Sequence, residues 1–210
     1  MSIRVPLLIL LLATSLAHAA EIPLPGKRIR LDDTTVPTAR RTFVSLGAAG
    51  VDLTGLDPTV TGATARVGQP GTANVVTVDL PASGWVRTLK STVPDFRFKS
   101  RGTTTVTARL RDGFLVEFSV RGPGAFGFVA PLGTIGVTFD VDGVRFCGLF
   151  GGTLEVDDGR HFRTRKAPAP ASCPDLGGPL CVPSGGTCDL ANPGACCNLV
   201  CINGAPPHCG

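Results

Sequence analysis

The last thirty residues, Cys181 to Gly210, hold six cysteines: Cys181, Cys188, Cys196, Cys197, Cys201 and Cys209, in the order C-x6-C-x7-C-C-x3-C-x7-C. Gly and Pro interrupt every longer gap, and the segment has no aromatic residue. So short a stretch buries too little apolar surface to offset the ordering of its own backbone. This density of thiols therefore marks a fold held by disulfides rather than by a core. Neighbouring residues of an extended chain point opposite ways, so the sulfurs of Cys196 and Cys197 need partners on different sides. Six cysteines allow fifteen pairings, and spacing alone does not choose among them.

Disulfides imply an oxidising compartment, and the N-terminus agrees. Met1 to Ala20 reads as a secretory leader, with Arg4 as a positive start, an apolar run from Val5 to Leu12, and a small-x-small cleavage site at Ala17-His18-Ala19. The mature chain is expected to begin near Ala20 or Glu21 and to be secreted or periplasmic. The apolar run is shorter than the roughly 20 residues that span a bilayer, and no later run reaches that length, so no membrane span is expected. A zinc site would want paired C-x2-C spacings and histidine ligands, and neither pattern is present.

From Glu21 to Arg165 the sequence reads as all-β, an antiparallel sandwich or barrel of about ten to thirteen short strands. Three Asp-Gly steps predict hairpins, because their turns need positive φ, which Gly adopts freely and Asp tolerates. Asp112-Gly113 separates TVTARLR from FLVEFSV, Asp142-Gly143 separates IGVTFDV from VRFCGLF, and Asp157-Asp158-Gly159 separates TLEV from HFRT. Alternation puts Ile135, Val137, Phe139 and Val141 on one face, with Thr138 and Asp140 opposite. Phe114, Val116, Phe118 and Val120 form a second core row beside Val106, Ala108 and Leu110. Val76, Val78 and Leu80 mark one further strand, Trp85 and Leu89 another, Phe96 and Phe98 a third. After Phe162 no aromatic residue occurs, and Lys166-Ala-Pro-Ala-Pro-Ala favours an extended spacer. This gives a leader over 1–20, a β domain over 21–165, a linker over 166–180 and a small cysteine-rich module over 181–210.

The six-cysteine pattern resembles the inhibitor cystine knot (knottin) family. In that family the first cysteine pairs with the fourth, the second with the fifth and the third with the sixth. The resemblance therefore implies Cys181–Cys197, Cys188–Cys201 and Cys196–Cys209, with Asn203-Gly204 as the turn of the module's hairpin. Cys147 and Cys173 are then left over, and in an oxidising compartment they are expected to pair with each other. LDDTTVPTARRTFVS, DLPASGW, RFCGLFGGT and KAPAPASCP resemble recurrent phrases of uncharacterised secreted proteins of environmental bacteria. That likeness implies a shared bacterial export module and brings no activity with it.

The net charge of +4 comes from doublets such as Lys27-Arg28, Arg40-Arg41 and Arg165-Lys166, while the stretch from Cys181 to Gly210 has no Lys or Arg. The doublets look scattered along the chain, as solubilising surface charge would be, so no nucleic-acid partner is expected. Gly122-Pro-Gly-Ala-Phe-Gly127 spells G-x-G-x-x-G, but Pro123 removes an amide and a strand follows, so it reads as a loop. Asp140-Val-Asp142-Gly143 lacks the further oxygen ligands of a calcium loop. The mature chain has only His161 and His208, no serine sits in a G-x-S-x-G elbow, and every cysteine is committed to a bridge. Arg163-Thr-Arg165-Lys166 reads as an ordinary strand end rather than a processing site.

The expectation is a monomeric, non-enzymatic protein without cofactor or metal. Its β domain carries a knot that binds an extracellular protein or a surface glycan, or that stabilises the chain. The alternative is a knottin-type effector, a protease inhibitor or a channel-directed toxin. The absence of Lys and Arg from the tail disfavours the trypsin-directed form.

Overall fold

A computed structural model describes residues 20–47, 50–89, 92–127, 131–176, 201–202 and 208–209. The β region runs as thirteen strands: β1 (Ala20–Pro23), β2 (Gly26–Asp32), β3 (Arg41–Leu46), β4 (Ala63–Gly68), β5 (Val75–Leu80), β6 (Trp85–Arg87), β7 (Asp95–Ser100), β8 (Thr105–Arg111), β9 (Leu115–Arg121), β10 (Ile135–Val141), β11 (Val144–Phe150), β12 (Leu154–Asp157) and β13 (His161–Ala167). One α-helical turn, α1 (Pro58–Thr61), and two 3-10 turns, Pro37–Ala39 and Ala82–Gly84, interrupt them. The α1 turn is started by Asp57, whose Oδ1 accepts the Thr59 N–H at 2.9 Å.

The three Asp-Gly steps close the hairpins β8–β9, β10–β11 and β12–β13. At the β10–β11 turn both Asp142 (φ 48°) and Gly143 (φ 74°) are left-handed, the geometry of the two-residue turn that matches strand twist. The β8–β9 turn is longer. Phe114 falls within it rather than on β9, so it stands 46 % exposed instead of joining the core row, with the Arg111 guanidinium 4.3 Å from its ring centroid. Leu89 also departs from expectation. β6 ends at Arg87, and Leu89 lies in the loop beyond it, 93 % exposed.

The strands form two sheets. One has five strands in the order β1-β11-β10-β4-β5, and the other has eight in the order β12-β13-β2-β3-β9-β8-β7-β6. Neither closes into a barrel. The pairing is antiparallel except where β1 runs parallel to β11. One continuous core draws on both sheets: Val44, Leu46, Phe118 and Phe98 from the larger, and Val67, Val137, Phe139 and Phe146 from the smaller. The two are keyed together by rings. Phe139 lies 6.4 Å from Phe118 and 6.3 Å, edge-on, from Trp85. Gly148 of β11 leaves room for Leu46 of β3, since a Cβ there would sit 2.5 Å from Leu46 Cδ2.

The outer face of β10 is not left to solvent. Thr138 and Gly136 are buried although they point away from the core row. The chain after β13 returns over them: Leu176 is buried, and a Cβ on Gly136 would lie 2.5 Å from its Cδ2. The Gly71 amide donates to the Asp175 carbonyl at 3.3 Å. The Ala-Pro spacer thus leads into a strap on the β domain, and β13 itself continues through Ala167, past the boundary expected at 165.

An ion pair between a buried carboxylate and a half-buried arginine fastens β7 to β8. Asp95, 3 % exposed, accepts from Arg109 Nε at 3.1 Å and from Nη2 at 2.7 Å. The two hydrogen bonds from Arg109 hold the Asp95 carboxyl below the usual carboxylate range, against the opposing effect of burial. A folded-state pKa below the unfolded value of about 3.9 gives stabilisation that is complete above about pH 4 and is lost as pH falls through the folded value. Asp95→Asn should therefore cost about 2 kcal/mol at pH 7, the scale of hydrogen bonds to a charged group. The gap to the native protein should narrow below about pH 4. Urea denaturation of both proteins across that range checks this, and a gap independent of pH would contradict it.

Candidate functional site

Cys147 is the fourth residue of β11 and points out of the core, towards the strap. It forms a disulfide with Cys173, the two Cα atoms lying 5.5 Å apart, within the span of about 7 Å that a bridge tolerates. Cys147 is fully buried, so the bond sits between sheet and strap rather than at an exposed edge. The covalent link lies only a few residues before the cysteine-rich tail. Of that tail, β14 (Cys201–Ile202) pairs antiparallel with β15 (His208–Cys209), Cys201 opposite Cys209 and Ile202 opposite His208. Those strands flank the expected hairpin. Its turn at Asn203-Gly204, the three knot pairings and Cys181, Cys188, Cys196 and Cys197 lie outside the described residues, as do Met1 to Ala19.

The motifs with chemical potential are absorbed by the fold. Gly122 to Gly127 forms a loop after β9, and its amides are spent internally. Gly122 N–H donates to the Arg40 carbonyl at 3.0 Å, Gly124 N–H to Thr104 Oγ1 at 3.1 Å, and Phe126 N–H to Thr42 Oγ1 at 2.9 Å. Asp140 is paired with Arg145 (Nε to Oδ1, 2.6 Å), and Asp142 accepts the Asp57 N–H at 2.6 Å. Among the described residues no group of three or more His, Cys, Asp or Glu is placed to hold a metal ion, and no helix is long and apolar enough to cross a membrane. His161 Nδ1 faces Asp158 at 3.2 Å in an exposed turn. Arg163, Arg165 and Lys166 belong to β13, which pairs with β2 on one side and with β12 on the other. Proteolysis favours exposed loop tips, and an inner strand offers no such site.

The basic doublets behave differently from their scattered look in the sequence. In each doublet, strand alternation turns one member onto the outer face of the eight-stranded sheet, and register then brings these members together. Arg28 stands opposite Arg165, Arg30 opposite Arg163, and Arg41 opposite Arg121. Six guanidinium groups thus share the outer face of β13, β2, β3 and β9. Arg28, Arg30, Arg41 and Arg121 line a shallow hollow with Phe43 and Ser119. Two carboxylates answer them. Asp32 lies between Arg30 (2.7 Å) and Arg163 (3.4 Å), and Glu155 pairs with Arg165. Arg28, Arg41 and Arg121 have no ion pair with any described carboxylate. Glu117 bounds the patch on β9, opposite Ser45 and Arg109, and burial raises its carboxyl above the ordinary range.

No family model, no curated protein and no solved structure matches the chain.

Proposed function

We propose that this is a secreted or periplasmic, non-enzymatic protein of two modules, in which the β domain carries a knottin-like tail that acts as an interaction or stabilising module while covalently fastened to it. The observation that carries the reading is the Cys147–Cys173 disulfide, which anchors the chain just before the tail and leaves six cysteines beyond it for bridges of their own. Two further features support it. The leader's Ala17-His18-Ala19 site ends one residue before β1, so cleavage there spares a strand that the five-stranded sheet uses. The candidate catalytic and nucleotide motifs among the described residues are engaged structurally. A rigid disulfide-closed tail displays its loops with little ordering cost on binding.

The test uses the mature full-length protein and a version ending at Leu176. Both are titrated against intact cell envelopes and against elastase- and chymotrypsin-like proteases, which would accept Leu190, Leu199 or Val200. Saturable envelope binding by the full-length protein alone assigns interaction to the tail. Equal binding by both, with faster proteolysis of the shortened form, assigns stabilisation. Stoichiometric protease inhibition would replace the reading with the effector alternative, and turnover on broad peptide, ester and glycan panels would overturn its non-enzymatic part.

A further inference from the structure

We infer that the arginine face of the eight-stranded sheet is a binding surface for a linear acidic polysaccharide, one bearing carboxylate or sulfate groups. This site is made of β-domain residues alone.

The arrangement does not stabilise itself. Side chains directly opposite on neighbouring antiparallel strands have Cβ atoms about 5 Å apart, and like charges so placed repel. Here three such pairs lie on adjoining strands: Arg28–Arg165, Arg30–Arg163 and Arg41–Arg121. Asp32 and Glu155 offset part of that repulsion; Asp32 also stands opposite Arg41 across β2 and β3, but neither Arg41 nor Arg121 makes an ion pair with a described carboxylate. An anion laid across the face relieves all three pairs together. Strand spacing fixes the grid at about 5 Å across strands and about 7 Å between alternate residues along one, so the four strands span about 14 Å. A chain with repeated negative groups can cross it and meet several guanidinium forks, each shaped for a carboxylate or sulfate.

The residues between the arginines suggest what carries those negative groups. Ser119 and Thr107 are opposite one another, as are Arg121 and Thr105, so hydroxyls alternate with guanidinium groups on the face. Phe43, the one aromatic ring among the described residues of the hollow, is half-buried. Charged forks, hydroxyls and a single apolar ring match a sugar acid, which presents anionic oxygens, hydroxyls and an apolar ring face. Single-stranded nucleic acid is held by aromatics on which successive bases stack, and one ring is no such platform. Reading a duplex takes an element that enters a groove, and among the described residues this face is made of paired strands without a protruding helix or arm. An anionic membrane is gripped by an amphipathic helix with apolar anchors, and none borders the patch among the described residues.

The experiment titrates the mature protein with polygalacturonate (carboxylated), heparin (sulfated), neutral dextran, duplex DNA and phosphatidylglycerol vesicles, from low to physiological salt. Binding to one or both acidic glycans, weakened by salt and absent for dextran, is the expected result, and the stronger of the two identifies the anionic group. Arg41→Gln with Arg121→Gln should lower that affinity at least tenfold and flatten its salt dependence. The thermal midpoint of this variant should hold or rise, because a repulsive pair has been removed. Arg66→Gln with Arg87→Gln removes the same charge away from this face, on β4 of the smaller sheet and on the edge strand β6, and should leave affinity within about twofold. Failure to bind either glycan at low salt overturns the inference. So does equal loss in both double variants, or tighter binding to DNA or vesicles than to either glycan.

Discussion

Replacing Cys147 and Cys173 together by alanine should destabilise the protein by about 3.5 kcal/mol, from the chain-entropy estimate for a closed loop of 26 residues. In a domain of this size that corresponds to a fall of about 10 °C in the thermal midpoint. The loss should be local before it is global. With the bridge gone, the strap is held by Leu176 against Gly136 and by the Gly71–Asp175 hydrogen bond, so the Gly71 amide should exchange markedly faster while the amides of β8 and β9 stay protected. Tryptic mapping without reduction gives a direct check. Residues 167–210 contain no Lys or Arg and leave as one peptide, joined to 146–160 through Cys147 and Cys173. A Cys147 link to any other tail cysteine, a disulfide-linked dimer on non-reducing electrophoresis, or a midpoint shifted by less than about 2 °C would each contradict the account.

The hairpins were legible because their determinants are local. An Asp-Gly step has few conformations open to it, and alternation on both sides fixes which face is buried. TVTARLR, IGVTFDV and VRFCGLF accordingly coincide with β8, β10 and β11. Phe114 and Leu89 were misplaced because turn length decides whether a residue beside a turn continues the alternation, and composition does not encode turn length. Sheet order was less accessible still. That β13 docks beside β2 and that β1 runs parallel to β11 are pairings between residues more than a hundred positions apart. Thr138 illustrates the consequence: its strand pattern gives the face correctly, but only the returning strap explains why that face is covered.

The arginine surface was hidden for the same reason. Read as doublets, Lys27-Arg28, Arg40-Arg41 and Arg165-Lys166 look like separate points of solubilising charge. The usable signal was the period-two spacing of Arg28 with Arg30 and of Arg163 with Arg165, which in a strand places both guanidinium groups on one face. That Arg121 completes the set beside Arg41 follows only from the pairing of β3 with β9. The disulfide was accessible by another route, since counting thiols constrains partners that lie far apart in sequence.

Phe139→Ala should have the largest effect of any single substitution considered, a loss of about 4 kcal/mol, within the range for emptying a large aromatic from a packed core. Phe139 is fully buried on β10 and is the one ring of the smaller sheet that meets two rings of the larger, Phe118 and Trp85. Truncation removes transfer energy, leaves a cavity and cuts both ring contacts at once. Trp85 reports on it directly, being the sole tryptophan of the chain, with its indole N–H donating to the Leu80 carbonyl at 3.0 Å. The variant should show a weakened near-ultraviolet circular dichroism band and a red-shifted emission maximum while keeping its far-ultraviolet strand signal. Phe139→Leu, which fills most of the volume, should cost less than about half as much and restore most of the tryptophan signal. A loss below about 1 kcal/mol for Phe139→Ala, with unchanged tryptophan emission, would show that the two sheets are not keyed through these three rings.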